Sequence, residues 1–191
     1  MSIILASQSP RRRELLAQMG VPQFEVVPAL GEEIASPGLS PAQLVEVLSR
    51  QKAEEVAVQA GPDDVVIAAD TVVAVDGAVL GKPRDPADAA RMLSLLSGRA
   101  HTVYTGVTVR RGTFSLTAHE ATQVRFRPLT QSEISAYIAT GEPMDKAGAY
   151  GVQGLGALLV ERLDGDFFNV MGLPVLRLSR MLERFGVHFF C

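Results

Sequence analysis

The stretch Ser7-Gln8-Ser9-Pro10-Arg11-Arg12-Arg13 crowds hydroxyls, backbone amides and guanidinium groups together. If a strand enters it and a helix leaves it, unpaired amides and the positive end of the helix dipole face one point, where an anion is favoured. Arginine adds bidentate phosphate recognition there. The plainer reading, a capped helix start followed by solvated Arg, stays open at this level. Asp70 follows five apolar residues, Val65 to Ala69, and a carboxylate at a strand end can hold a divalent cation, orient water, or simply cap a turn. Glu32 and Glu33 are further hard-oxygen donors, or else a solvated acidic loop. Gly148, Gly151, Gly154 and Gly156 let backbone approach a ligand closely, and Gln153 among them offers both a donor and an acceptor, as a base edge requires. The alternative is a loop that needs unusual dihedrals and leaves Gln153 exposed.

Other chemistries have less support. His101, His119 and His188 are scattered and no Cys-x-x-Cys occurs, so nitrogen or sulfur metal ligation is poorly served. Neither Gly-x-x-x-x-Gly-Lys-Ser/Thr nor Gly-x-Gly-x-x-Gly nor Gly-x-Ser-x-Gly is present.

These groups must be carried by an alternation of strands and helices. Ile3 to Ala6 predicts a buried strand, and Ser9 the N-cap of a helix from about Arg11 to Met19 with Pro10 at its first position. Phe24 to Val27 reads as a strand. Ser40-Pro41-Ala42-Gln43 is a capping box opening a helix that carries Lys52 and runs to about Gln59. The apolar run Val65 to Ala69 predicts a strand ending at Asp70 and Thr71. Asp76-Gly77 predicts a hairpin between Thr71–Val75 and Ala78–Leu80 that turns Lys82 back toward Asp70. Asp85-Pro86 starts a helix closed by Gly98, and His101 to Arg125 holds two strands broken at Gly112. Thr130 to Glu133 is a second capping box for a helix ending at Gly141. Gly156 to Leu163 and Phe167 to Val170 read as a hairpin about Asp164-Gly165. Leu173 to Phe185 is a final helix whose apolar face, including Leu176 and Met181, faces the core. The expected fold is α/β with a mixed sheet.

The chain has 191 residues, 47% hydrophobic and 20% charged, which bounds it to one domain or two joined lobes with a sizeable core. A net charge of −3 argues against a general nucleic-acid coat or a polybasic membrane anchor, so an anionic ligand must be met locally. Fifteen of the 18 basic residues are Arg; only Lys52, Lys82 and Lys146 are Lys. The single Cys191 forms no intrachain disulfide, which suits a reducing compartment. No stretch has the length of a membrane span or the arrangement of a secretory leader.

Five separated segments in order, Ser7-Gln8-Ser9-Pro10-Arg11-Arg12, Gln51-Lys52-Ala53, Ala69-Asp70-Thr71-Val72, Gly81-Lys82-Pro83 and Asp145 to Gly154, resemble the Maf family of nucleoside triphosphate pyrophosphatases. The resemblance implies one domain over residues 1–191, with an elongated mixed sheet, flanking helices and two lobes around a central cleft, similar to inosine triphosphatases. It also implies a cytoplasmic homodimer that uses Mg²⁺ or Mn²⁺ to convert a nucleoside triphosphate to the monophosphate and pyrophosphate. Arg11, Thr71 and Gln153 match the subfamily acting on dTTP and UTP, whereas the sister subfamily preferring 7-methyl-GTP has Trp and Gln at the first two positions. By resemblance Asp70 is the proton acceptor. Asp70 with Glu32 or Glu33 holds the metal, Arg12, Lys52 and Lys82 balance phosphate charge, and Ser7 and Ser9 bind substrate. Lys146 pairs locally with Asp145 and shapes the glycine loop. Competing functions are a nucleotide-binding regulator of septum formation without turnover, a monoester phosphatase and, weakest, a nucleic-acid-binding module.

Overall fold

The computed structural model describes every residue except Pro22 and Cys191, so the reading of Cys191 lies outside the described residues. Strand β1 (Ile3–Leu5) leads into helix α1 (Pro10–Gln18), then come β2 (Glu25–Val26) and α2 (Pro41–Ala57). The long β3 (Val65–Val75) turns into β4 (Ala78–Leu80), and α3 (Pro86–Leu96) precedes β5 (Ala100–Arg111) and β6 (Phe114–Phe126). Helix α4 (Gln131–Ala139), a run of 3-10 turns, β7 (Val160–Asp164), α5 (Phe167–Met171) and α6 (Val175–Glu183) complete the chain. The strands form a mixed sheet in the order β2-β1-β3-β5-β6-β7, with β4 added to β3. β1 is parallel to both β2 and β3, while β3–β4 and β6–β7 are antiparallel. The expected α/β class with a mixed sheet and flanking helices is what the chain adopts.

The cap chemistry read from the sequence sets the helix starts. Ser9 accepts from the Arg12 amide, and Ser40 with Gln43 and Thr130 with Glu133 form reciprocal capping boxes. Asp85 accepts from the Asp88 amide at 2.7 Å, with Pro86 at the first helical position. The Asp76-Gly77 turn has positive φ at both residues, 50° and 76°, matching the twist of the strands it joins.

Three expectations are corrected. β3 does not end at Asp70: the β-branched run after it continues the strand to Val75, so Asp70 stands in mid-strand. The Asp164-Gly165 hairpin does not form. Leu155 and Gly156 give their amide hydrogens to the Glu142 carboxylate, and Asp166 Oδ1 accepts from the Phe168 amide at 2.8 Å, starting a helix where a strand was expected. On α6, Met181, Leu178 and Leu182 are buried, whereas Leu176 is 60% exposed and lies off the apolar stripe.

The chain divides into two compact units. The first comprises Met1–Asp70, Thr105–Glu120 and Gly172–Cys191, and in it Ala53 and Val56 of α2 pack with Ile4, Ala6, Val66 and Ala68. At Gly106 of β5 the backbone of α2 comes close: a Cβ there would lie 2.2 Å from the Val45 carbonyl oxygen. The second comprises Thr71–Tyr104 and Ala121–Met171, built around Met92, Leu93 and Leu96 of α3 with Phe126, Ile134, Tyr137 and Tyr150. Burying each such large apolar side chain contributes roughly 1.5 to 3 kcal/mol.

Candidate active site

In the first unit, β1 ends just before Ser7, whose hydroxyl oxygen accepts from the Ser9 amide and from Arg12 Nη1, both at 3.2 Å. With both lone pairs engaged, the buried hydroxyl has only its proton to offer a ligand. Arg12 also donates through Nη1 to the Ala69 carbonyl and through Nε to the Gly172 carbonyl, each at 2.8 Å. The guanidinium therefore ties the start of α1 to β3 one residue before Asp70. Burial lowers its pKa, which Asp70 counteracts, Arg11 reinforces and Glu33 counteracts further. Ser9 is occupied as the helix cap, its oxygen 3.5 Å from the Arg12 amide, and Arg11 is half-buried beside it.

Asp70 is 8% exposed, and its Oδ1 accepts from Lys52 Nζ at 2.5 Å. The same ammonium lies 2.7 Å from Glu33 Oε1, so Lys52 bridges a buried and an exposed carboxylate. The acidic loop reaches this position because α2 holds it. Glu55 accepts from the amides of Leu30 at 2.8 Å and Gly31 at 3.0 Å, and Gln51 exchanges hydrogen bonds with the backbone of Ile34. Glu33, not Glu32, is the residue paired with Lys52; Glu32 is exposed next to it. Gln51 and Glu55 were not singled out in the sequence, although their i,i+4 spacing around Lys52 was a signal that one face of α2 is polar for a reason.

Among the described residues no group of three or more His, Cys, Asp or Glu side chains is arranged to hold a metal ion. The donor chemistry nonetheless suits one class of cation. Two carboxylate oxygens sharing one ammonium are no farther apart than its two contacts laid end to end, and Mg²⁺ is typically bound by one or two carboxylates plus substrate phosphates rather than by an all-protein cage.

Thr71, Lys82 and Gln153 belong to the second unit. Thr71 follows Asp70 on β3 and is half-buried, and Lys82 is exposed beyond the end of β4. The hairpin that leads to Lys82 is present, with Val73 opposite Leu80, and Gly81 accepts at its carbonyl from the Gly148 amide at 3.0 Å. This joins the segment before Lys82 to the glycine loop. Gly148 has φ 69° and a Cβ there would lie 2.8 Å from Val73 Cγ2. Gln153 is exposed at the start of a 3-10 turn and makes no capping hydrogen bond with its side chain. Lys146 donates to Asp145 at 2.6 Å, the local pair expected of it, and also to the Glu142 carbonyl at 2.5 Å.

Sequence reading passed over the groups beneath this loop. Glu142 Oε1 accepts from the Tyr137 hydroxyl and the Gly156 amide, both at 2.9 Å, and Oε2 from the Leu155 amide at 3.0 Å. Burial pushes the Glu142 carboxyl up, but the Gly156 and Leu155 amides, the Tyr137 hydroxyl and the Lys146 charge outweigh it, so its pKa falls below the usual value. Burial raises the Tyr137 hydroxyl well above its ordinary range. His101 and Tyr150 share a buried 2.8 Å hydrogen bond, and burial pushes His101 down to about 4.

The family described as Maf-like protein matches residues 2–185. The chain belongs to the Maf family. Among Maf relatives, the dTTP/UTP pyrophosphatase of Symbiobacterium thermophilum is 53% identical over 188 residues, covering 98% of this chain and 96% of the relative. The dTTP/UTP pyrophosphatase of Moorella thermoacetica is 55% identical over 189 residues, covering 97% of this chain and 95% of the relative. The solved structure of a HAM1 protein from Coxiella burnetii superposes with a TM-score of 0.56 at 16% identity, covering 96% of this chain and 99% of that one. That likeness concerns the fold alone. The Maf resemblance carried by the five sequence segments is thus met along nearly the whole chain.

Proposed function

We propose that this chain is a nucleoside triphosphate pyrophosphatase that hydrolyses dTTP and UTP to the monophosphate and pyrophosphate, residues 1–191 working as one functional domain. The observation that carries the reading is Asp70, a buried mid-strand carboxylate held by Lys52 beside the Ser7–Arg12 turn, in a chain about half identical to dTTP/UTP pyrophosphatases. Asp70 orients the attacking water and accepts its proton at the α-phosphorus. Arg12 fixes the backbone carbonyl next to Asp70 and adds positive charge, Lys52 and Lys82 balance the charge of the triphosphate and the departing pyrophosphate, and Ser7 donates to a phosphate oxygen. Arg11, Thr71 and Gln153 set the preference for the pyrimidine base, and Ser9 keeps its amide-rich turn in shape.

A divalent cation, Mg²⁺ or Mn²⁺, would be held by Asp70 and Glu33, with Glu32 next to Glu33 in the chain, and would supply neutralisation of phosphate oxygens and a more acidic water. Lys52 holds the two carboxylates together. The proposal includes a cytoplasmic homodimer; among the described residues no helix is long and apolar enough to cross a membrane.

The test is a panel of dTTP, UTP and GTP, each with Mg²⁺ or Mn²⁺, in which pyrophosphate and monophosphate are quantified together. Equal amounts of the two from dTTP and UTP are expected. Tight nucleotide binding without release would make the chain a regulator instead, and orthophosphate from a monophosphate would make it a phosphatase.

A further inference from the structure

The glycine loop comes to the surface at Gln153 and Gly154, where glycine neighbours allow many conformations, yet a base-reading side chain must be presented in one. Gln153 has extended backbone, φ −94° and ψ 158°, and its neighbours are tied on both sides to the same pair of side chains. Before it, the Gly151 amide donates to the Tyr137 hydroxyl oxygen at 3.2 Å. After it, the Leu155 and Gly156 amides donate to the Glu142 carboxylate, which the Tyr137 hydroxyl also donates to at 2.9 Å. The two ends of the loop meet at backbone distance: a Cβ on Gly156 would lie 2.2 Å from the Gly151 carbonyl oxygen and 2.6 Å from the Tyr137 hydroxyl. Lys146 closes the remaining side, its Cε 2.7 Å from where a Gly151 Cβ would stand. Tyr137 itself is buried in the core of its unit, so the loop is fixed to a rigid element rather than to other loop residues.

We propose that Glu142 and Tyr137 are positioning residues that clamp the loop on either side of Gln153 and thereby set the enzyme's selectivity for pyrimidine nucleoside triphosphates. This rests on the reading of Gln153 as the group that meets the base. An ionised carboxylate accepting three donors is a strong and directional tie. In Glu142→Gln an NH₂ group faces one of those donors, and in Tyr137→Phe the loop loses one acceptor and the carboxylate one donor while the ring remains packed.

The experiment is steady-state pyrophosphate release from UTP, dTTP and GTP by wild type, Glu142→Gln, Tyr137→Phe and Gln153→Ala, with thermal melts of each. The clamp predicts that KM for UTP and dTTP rises about tenfold or more in both clamp variants. It also predicts that kcat changes far less than KM and that the ranking over GTP narrows. Clamp variants that melt earlier but keep wild-type KM and ranking would overturn the proposal, because Glu142 and Tyr137 would then serve only the stability of the fold. If Glu142→Gln does not fold, Tyr137→Phe decides alone. An unchanged ranking in Gln153→Ala would sink the base-reading role beneath the proposal. A changed ranking there with none in the clamp variants would defeat the clamp by itself.

Discussion

Arg12 and Lys52 are both cations beside Asp70, but they act through different chemistry. Arg12 spends Nε and Nη1 on the Gly172 and Ala69 carbonyls and the Ser7 hydroxyl, an arrangement that needs a planar fork and that an ammonium cannot reproduce. Arg12→Lys should therefore lower stability by about 1 to 3 kcal/mol in denaturant melts and reduce turnover as well. A variant with wild-type stability would show that charge alone is what matters there. Lys52 is a point charge between Asp70 and Glu33, and Lys52→Ala should cost on the order of a hundredfold in rate while the protein remains folded. Near-normal kcat/KM in that variant would return Lys52 to the role of a structural ion pair. Asp70, Lys52 and Arg12 could all be picked out in the sequence because each sits in a short motif. The priority of Glu33 over Glu32 could not, since it depends on where α2 holds the loop through Gln51 and Glu55.

Among the elements, helix starts were legible because Ser9, Ser40, Asp85 and Thr130 carry local cap chemistry that tertiary contacts do not override. The segment from Gly154 to Met171 was legible only in part: a strand forms there, but it starts at Val160 because Glu142 takes the Leu155 and Gly156 amides, and the expected second arm is α5. Gly106 shows a signal that was available: a glycine inside an apolar strand pattern marks a close backbone approach, here of α2 onto β5. Gly106→Ala should destabilise the protein by about 1 to 3 kcal/mol, read as a lower denaturation midpoint, and an unchanged midpoint would mean that α2 can shift freely. The buried His101–Tyr150 pair predicts a pH effect of definite sign. A histidine held near 4 against an ordinary 6.5 binds fewer protons folded than unfolded, so its contribution is complete above about 6.5 and lost as pH falls toward about 4. The slope there should approach about 1.4 kcal/mol per pH unit and flatten in His101→Gln. Glu133, lowered from 4.5 to about 2, acts in a lower window and does not mask it.

For the molecule as a whole, the −3 net charge is compatible with a polyanionic substrate because the cations that matter are placed, not abundant. Two of its three lysines lie in contacts that the structure defines, Lys52 on two carboxylates and Lys146 under the glycine loop. The fold class and most of the candidate site could be read from motif order. What could not be read is that the Val65–Ala69 run and the Thr71–Val75 hairpin arm are one unbroken β3, which makes Asp70 part of a rigid strand rather than of a turn. Rigid placement is what a group receiving a proton in the transition state requires. The central claim is therefore tested most directly by measuring pyrophosphate release from dTTP and UTP with Mg²⁺ for wild type and Asp70→Asn at matched folded fractions. Stoichiometric release by wild type and at least a hundredfold loss in Asp70→Asn is the predicted result, and comparable turnover by the two proteins would contradict it.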